Sequence, residues 1–381
     1  MTRNRKAGKS AAASIVNMPE RREPKPPVTY SDSNHLSVIF QAHGSVWCHV
    51  LPYCIFNTLI AAGVYIAKNN YGYDITCKPL GHKFMAMMVS FLLIGRVQII
   101  FSRFMEARGH LSTCYRSCRE LIQHMAVLTM QDKSEGAMQW RQLVAERTIL
   151  LLRVTMGSIE FRSSQKKPWD VPELCEEERR NLESVMLLDD AEKEGTVKTK
   201  MSRFAHGRRT LLEESDRAPI ILAYDLRKAI LSTRQAEVLQ VPFRHVNEEL
   251  KLLDMVSGFL KAYAGLKKLI NTPFPFPLVQ MARTFLFFWV FTLPFALCSN
   301  AKELPGILLS TFFITYGFVG LEYVSMELDD PFGDDPNDFD DLGMAEMVFE
   351  DIYITLYKLD GDASVQNLRM KLAGVKVEEI A

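Results

Sequence analysis

Four apolar blocks, each long enough to cross a bilayer, limit what this chain can become. Val46 to Ala67 holds no Asp, Glu, Lys or Arg, and Phe84 to Ser102 holds Arg96 alone. Leu278 to Asn300 holds only Arg283, and Leu304 to Leu321 is uncharged and ends at Glu322. A helix of about 20 such residues spans a hydrocarbon core. Core helices of water-soluble proteins are seldom apolar on every face for that length, and here there are four. A lone arginine in such a run is costly in lipid and should face a protein interior or a water-filled path. Charge returns at Arg103, Glu106 and Arg108. The second block is therefore expected to cross the membrane and continue into water.

Bulk numbers hide this pattern. Lys plus Arg equals Asp plus Glu at 45 each, because apolar and charged residues are segregated along the chain and cancel in the average. Seven scattered cysteines make no disulfide framework. Residues 1–27 carry seven Lys/Arg, and the first seventeen have no acid. That composition fits a cytosolic tail or an organelle transit peptide. A basic tail beside the first span keeps the N-terminus inside. The segment 103–271 is then inside as well, with short outer connections at 69–83 and near Lys302 and Glu303.

The long inner segment reads as helical. Leu111 to Met130 and Gln139 to Phe161 carry apolar residues at three- and four-residue spacing. Glu173 to Glu194 reads as a solvated helix, with EEERR at Glu176 to Arg180 a charged face and no nucleic-acid site. Ala218 to Gln240, after Pro219, and Pro242 to Ile270 read as two more helices. The run Asn271-Thr-Pro-Phe-Pro-Phe-Pro277 cannot be helix interior, so it is an extended entry to the third span. Pro294 is expected to kink that span.

Few constellations could carry chemistry. His110, Cys114 and Cys118 share one helix face, but eight residues cover about 12 Å of axis, too far for one zinc ion. There is no glycine-rich phosphate loop, HExxH or GxSxG, so no enzyme is expected. The run Glu327 to Asp341 holds eight acids and no base and is the best ion-ligand candidate, although it fails the EF-hand template. Met87, Phe91 and Gly95 lie at i, i+4 and i+8. They share a face of the second span, either for helix packing or for a further role.

Together these stretches resemble the bestrophin family, including its plant, algal and bacterial members, over roughly Ser37 to Asp341. Thr272-Pro-Phe-Pro-Phe276 is similar to the family's TPIPL-type entry, and Leu293-Pro-Phe-Ala-Leu297 to its LPFAL. Tyr316-Gly-Phe-Val-Gly-Leu-Glu322 with Glu327-Leu-Asp-Asp-Pro-Phe-Gly-Asp-Asp-Pro-Asn-Asp-Phe339 resembles its GxEE…EIEDPFGxDxNDLP signature. Gly95-Arg96 and Ser102-Arg-Phe-Met-Glu-Ala-Arg108 resemble its FR…DRWWEAR run.

The resemblance implies an all-α, multi-pass membrane protein with four spans per subunit, at about 46–67, 80–102, 278–300 and 304–322. It implies a cytosolic helical part at 103–271. Residues 1–36 would be a tail, 37–341 the channel domain and 342–381 a C-terminal segment. It implies a homopentamer whose central pore passes small anions such as chloride and needs no cofactor. Met87, Phe91 and Gly95 would line an apolar neck, with Arg96 and Arg103 close to the pore. Gly95 departs from the bulky residue expected there. A second constriction would fall between Ala236 and Leu253. Calcium-gated animal members build a clasp from the acidic run. In that clasp Asp335 and Asp338 match side-chain ligands, and Glu327 and Asp330 match carbonyl donors. Pro336 and Asn337 replace part of the animal acids. An ion-coupled carrier and a non-conducting membrane scaffold are the competing functions, and the membrane is either the plasma membrane or a plastid (thylakoid) one.

Overall fold

The computed structural model describes residues 28, 30, 33–161, 166–186, 211–234, 238–241, 243, 245–299, 303–332 and 335–373. The basic tail, the end of the charged helix beyond Met186, Lys302, and Gly333 and Asp334 of the acidic run lie outside these residues.

Among the described residues the regular structure is helical. In order these are α1 (His35–Ile39), α2 (Trp47–Tyr71), α3 (Pro79–Leu128), α4 (Glu135–Ile159), α5 (Glu176–Met186) and α6 (Leu211–Leu231). There follow α7 (Val246–Asn271), α8 (Phe276–Leu297), α9 (Leu304–Asp329), α10 (Asp341–Asp360) and α11 (Asp362–Leu372). Helices α2, α3, α8 and α9 are long and apolar enough to cross a membrane, as the four blocks require. The protein is an integral multi-pass membrane protein with an all-helical fold.

Helix limits differ most from the sequence reading at two places. The second span and the helix at 111–130 are one 50-residue helix, α3, because no proline or cap interrupts 79–128. Helix α6 begins at Leu211, before Pro219. Pro294 lies inside α8 as expected, in its last turn, three residues before the helix ends at Leu297.

The chain divides into two compact units. A membrane unit comprises the described residues of Lys25–Gly109 and Lys268–Phe339, and a second unit those of His110–Lys267 and Asp340–Ala381. Helices α10 and α11, read from sequence as a separate C-terminal segment, belong to the second unit.

In the membrane unit, Val50 and Cys54 of α2 pack with Val89 of α3, Leu286, Trp289, Val290 and Leu293 of α8, and Val319 of α9. Pro294 has no N–H for the Val290 carbonyl. The buried Asn57 amide donates to that carbonyl at 3.1 Å and to Thr315 Oγ1 at 2.7 Å. Lys68 Nζ donates to the Cys298 and Ser299 carbonyls just past the end of α8, at 3.0 and 3.2 Å. A cation there complements the negative helix end.

The second unit repeats the solution. Pro219 frees the Ser215 carbonyl, which accepts from Ser158 Oγ at 2.9 Å. Tyr263 lies 3.0 Å from Ser158 Oγ and donates to the Asp216 carbonyl, also at 3.0 Å. Arg141 is fully buried and forks onto Asp360 at 2.8 and 2.5 Å. Its remaining nitrogen donates to the Thr129 and Asp132 carbonyls beyond the end of α3, at 3.2 and 3.0 Å.

Candidate functional site

The membrane part of α3 has two faces of opposite character. Val89, Leu93, Arg96 and Ile100 are buried. On the other side Met87 and Phe91 are 71% and 79% exposed. At 3.6 residues per turn, Phe84, Met87, Gly95, Gln98 and Ser102 all point within roughly 40° of the Phe91 direction. Phe84, Gln98 and Ser102 are exposed and Gly95 is half-buried. The stripe is therefore apolar from Phe84 to Phe91 and polar at Gln98 and Ser102. Sequence reasoning at four-residue spacing found Met87, Phe91 and Gly95 but missed Phe84 and Gln98. Those two sit seven residues either side of Phe91, a spacing that returns to almost the same direction. A Cβ added at Gly95 would meet nothing within 4 Å, so packing inside one chain does not require glycine there.

Arg96 turns away from this stripe. It is buried and binds both carboxylate oxygens of Glu322 through Nη1, with Oε2 at 2.5 Å. Arg283 Nε donates to Glu322 Oε1 at 2.6 Å, and its side chain stays 40% exposed. Burying the ionised Arg96 and Glu322 is tolerable only because they are paired. Two guanidiniums share one carboxylate, so the cluster keeps one surplus positive charge. Among the described residues Arg96 Nε has no hydrogen-bond partner.

Arg103 does something different again. Its Nη2 donates to the Leu269 and Thr272 carbonyls at 3.0 and 2.6 Å. It thus satisfies carbonyls at the end of α7, where the proline entry to α8 begins. Phe104 and Phe339 meet at 4.5 Å, with Arg108 over the Phe339 ring at 5.7 Å.

The acidic run folds as a hydrogen-bonded loop after α9. Asp335 N–H donates to Asp338 Oδ2 at 2.7 Å, Asp338 N–H to the Asp335 carbonyl at 3.1 Å, and Phe339 N–H to the Pro331 carbonyl at 3.0 Å. Asn337 Nδ2 donates to Glu327 Oε2 at 2.9 Å and to the Gly44 carbonyl at 3.0 Å. Asp330 caps the C-terminus of α9. Among the described residues, no three His, Cys, Asp or Glu side chains converge closely enough to hold a metal ion. Cys114 and Cys118 are buried, and the His110 ring packs against Gly265, where a Cβ would come within 2.5 Å of it.

In the second unit, Asp341 opens α10 and is buried. Burial, and then the neighbouring Glu160 carboxylate, push its carboxyl up to about 8.

Comparison with known proteins gives the family and the fold. A family described as "Bacterial/Fungal Bestrophin protein" matches residues 28–353. The voltage-dependent anion channel-forming protein YneE of Salmonella typhi is 22% identical over 306 residues, 80% of this chain and 85% of that protein. Its namesake in Escherichia coli K12 is 25% identical over 178 residues; that match covers 42% of this chain and 57% of the relative's length. A crystal structure of a mutated bacterial bestrophin homologue from Klebsiella pneumoniae superposes with a TM-score of 0.60. It is 17% identical, over 82% of this chain and 99% of that one.

Proposed function

This chain belongs to the bacterial and fungal bestrophin family, and from that membership we propose that it is a passive anion channel, conducting through a central pore of a homopentamer. The observation that carries the reading is the exposed stripe of α3, with Met87 and Phe91 on it and the buried face opposite. On a spanning helix an apolar face meets either lipid or another subunit, and family membership is what assigns this stripe to the other copies. Symmetric closure of five copies would turn it into rings around an axis. Phenylalanines in a ring can offer their positive edges to a passing anion, and an apolar constriction gates by dewetting. Gln98, one turn past Gly95, would offer amide N–H donors where the apolar stretch ends. Flux follows the electrochemical gradient, and no step needs a metal or cofactor.

The test is reconstitution in a planar bilayer under a chloride gradient. Unitary currents should reverse near the chloride potential. Phe91→Ala should alter open probability or halide preference with unchanged pentamer yield. Gly95→Leu, whose Cβ has room inside the chain, should fold and lower conductance. Currents reversing at the cation potential, or a Phe91→Ala channel identical to the parent, would sink the assignment.

A further inference from the structure

The acidic run poses an electrostatic problem that the loop solves without a cation. Glu327 lies in the last turn of α9, where the helix end is itself negative. The Gly44 carbonyl is a second electron-rich group facing the same loop. Between them sits the Asn337 side-chain nitrogen, 2.9 Å from Glu327 Oε2 and 3.0 Å from the Gly44 oxygen. Both neighbours are acceptors only, so the orientation of the amide is fixed, with its NH2 group towards them. One NH2 carries two hydrogens, and each finds an oxygen.

A calcium ion would gather six to eight such oxygens at about 2.3–2.6 Å. Here both oxygens stand at ordinary N–H···O distances from a nitrogen. Asp338 Oδ2 is already used by the Asp335 N–H. We infer that Asn337 is a neutral stand-in for a cation: it latches the Gly44 turn, ahead of the first span, to the acidic loop after the fourth, and the latch closes without calcium. Gly44 is part of the device. Its φ of +71° suits glycine. A Cβ there would fall 2.7 Å from Val28 Cγ2 and 3.2 Å from Asn337 Oδ1.

If an amide replaces a cation, a carboxylate in its place should call the cation back. The test is thermal melting of the purified full chain, in calcium chelator and in millimolar calcium. The parent should melt at the same temperature in both. Asn337→Asp should melt roughly 2–4 °C lower in chelator and recover in calcium. Asn337→Ala should melt lower in both, with no recovery. Calcium stabilisation of the parent or of Asn337→Ala overturns the inference. So does an Asn337→Asp protein that melts like the parent in chelator, or one that calcium fails to rescue. Should Asn337→Asp not fold, Gly44→Ala carries the test. It should lower the melting temperature equally with and without calcium, and an unchanged melt overturns the latch.

Discussion

Two buried arginines, one in each unit, are handled in opposite ways. Arg141 meets Asp360 one to one and spends its remaining donors on carbonyls past the end of α3. Arg96 shares Glu322 with Arg283 and leaves its own Nε without a partner among the described residues. The first cluster is neutral and complete within one chain. The second keeps a net charge, and Arg283 stays partly open. The difference teaches that the second unit pairs its buried arginine one to one, whereas in the membrane unit, among the described residues, two arginines converge on one carboxylate.

Substitution can break that contrast. The largest effect is expected for Glu322→Gln, which leaves two guanidiniums with no counter-charge. Removing one partner from a buried ion pair costs about 3–5 kcal/mol. Folded yield in detergent should fall steeply, and Arg283→Gln in the same chain should restore part of it. Asp360→Asn should cost a similar amount in thermal melting while leaving the reversal potential of surviving channels unchanged. If Asp360→Asn shifted anion selectivity, or Glu322→Gln melted like the parent, the division of roles would fail.

The two proline-freed carbonyls allow a gentler comparison. Asn57→Leu strands the Val290 carbonyl in the membrane unit, and Ser158→Ala strands that of Ser215 in the other. An unsatisfied buried group costs about 1–3 kcal/mol. Hydrocarbon offers no water in exchange, so Asn57→Leu should be the worse of the two in melting temperature. Equal losses would mean that the membrane unit admits water at Val290.

A pH dependence separates the units as well. Asp341 titrates higher in the folded chain, at about 8, than its ordinary value of 3.8. The folded state therefore holds this proton after the unfolded state has lost it. Its contribution to stability is full below pH ~4 and is lost as pH rises through about 8. Asp341→Asn should flatten the stability profile across that window. A profile as steep as that of the parent would place the titration elsewhere.

The four spans were legible because their apolar blocks are continuous and nearly uncharged, so length alone identified them. The exposed face of α3 was legible at Met87 and Phe91 through four-residue spacing, while Gln98 escaped because its alignment with Phe91 appears only at seven. The partner of Arg96 was not legible, since Glu322 lies 226 positions away and only packing joins them. Pro219 misled because its missing N–H reads as a helix start, whereas Ser158, distant in sequence, supplies the donor that lets α6 run through it. The acidic run was legible as a place needing compensation, but Asn337 as the compensating group was not. Nothing in the local sequence puts Gly44 beside it.

Asn57 has a consequence for how the protein is made. Its two acceptors, Val290 and Thr315, follow it by 233 and 258 residues. At ribosomal speeds of about 5–20 residues per second, they emerge roughly 12–50 seconds after the first span. Throughout that interval a bare amide must wait in or beside the bilayer, where each unsatisfied polar group costs several kcal/mol. The first span therefore reaches its buried pairing only after nearly all of the membrane unit has been made, and the contact that fixes it is among the last to form during synthesis.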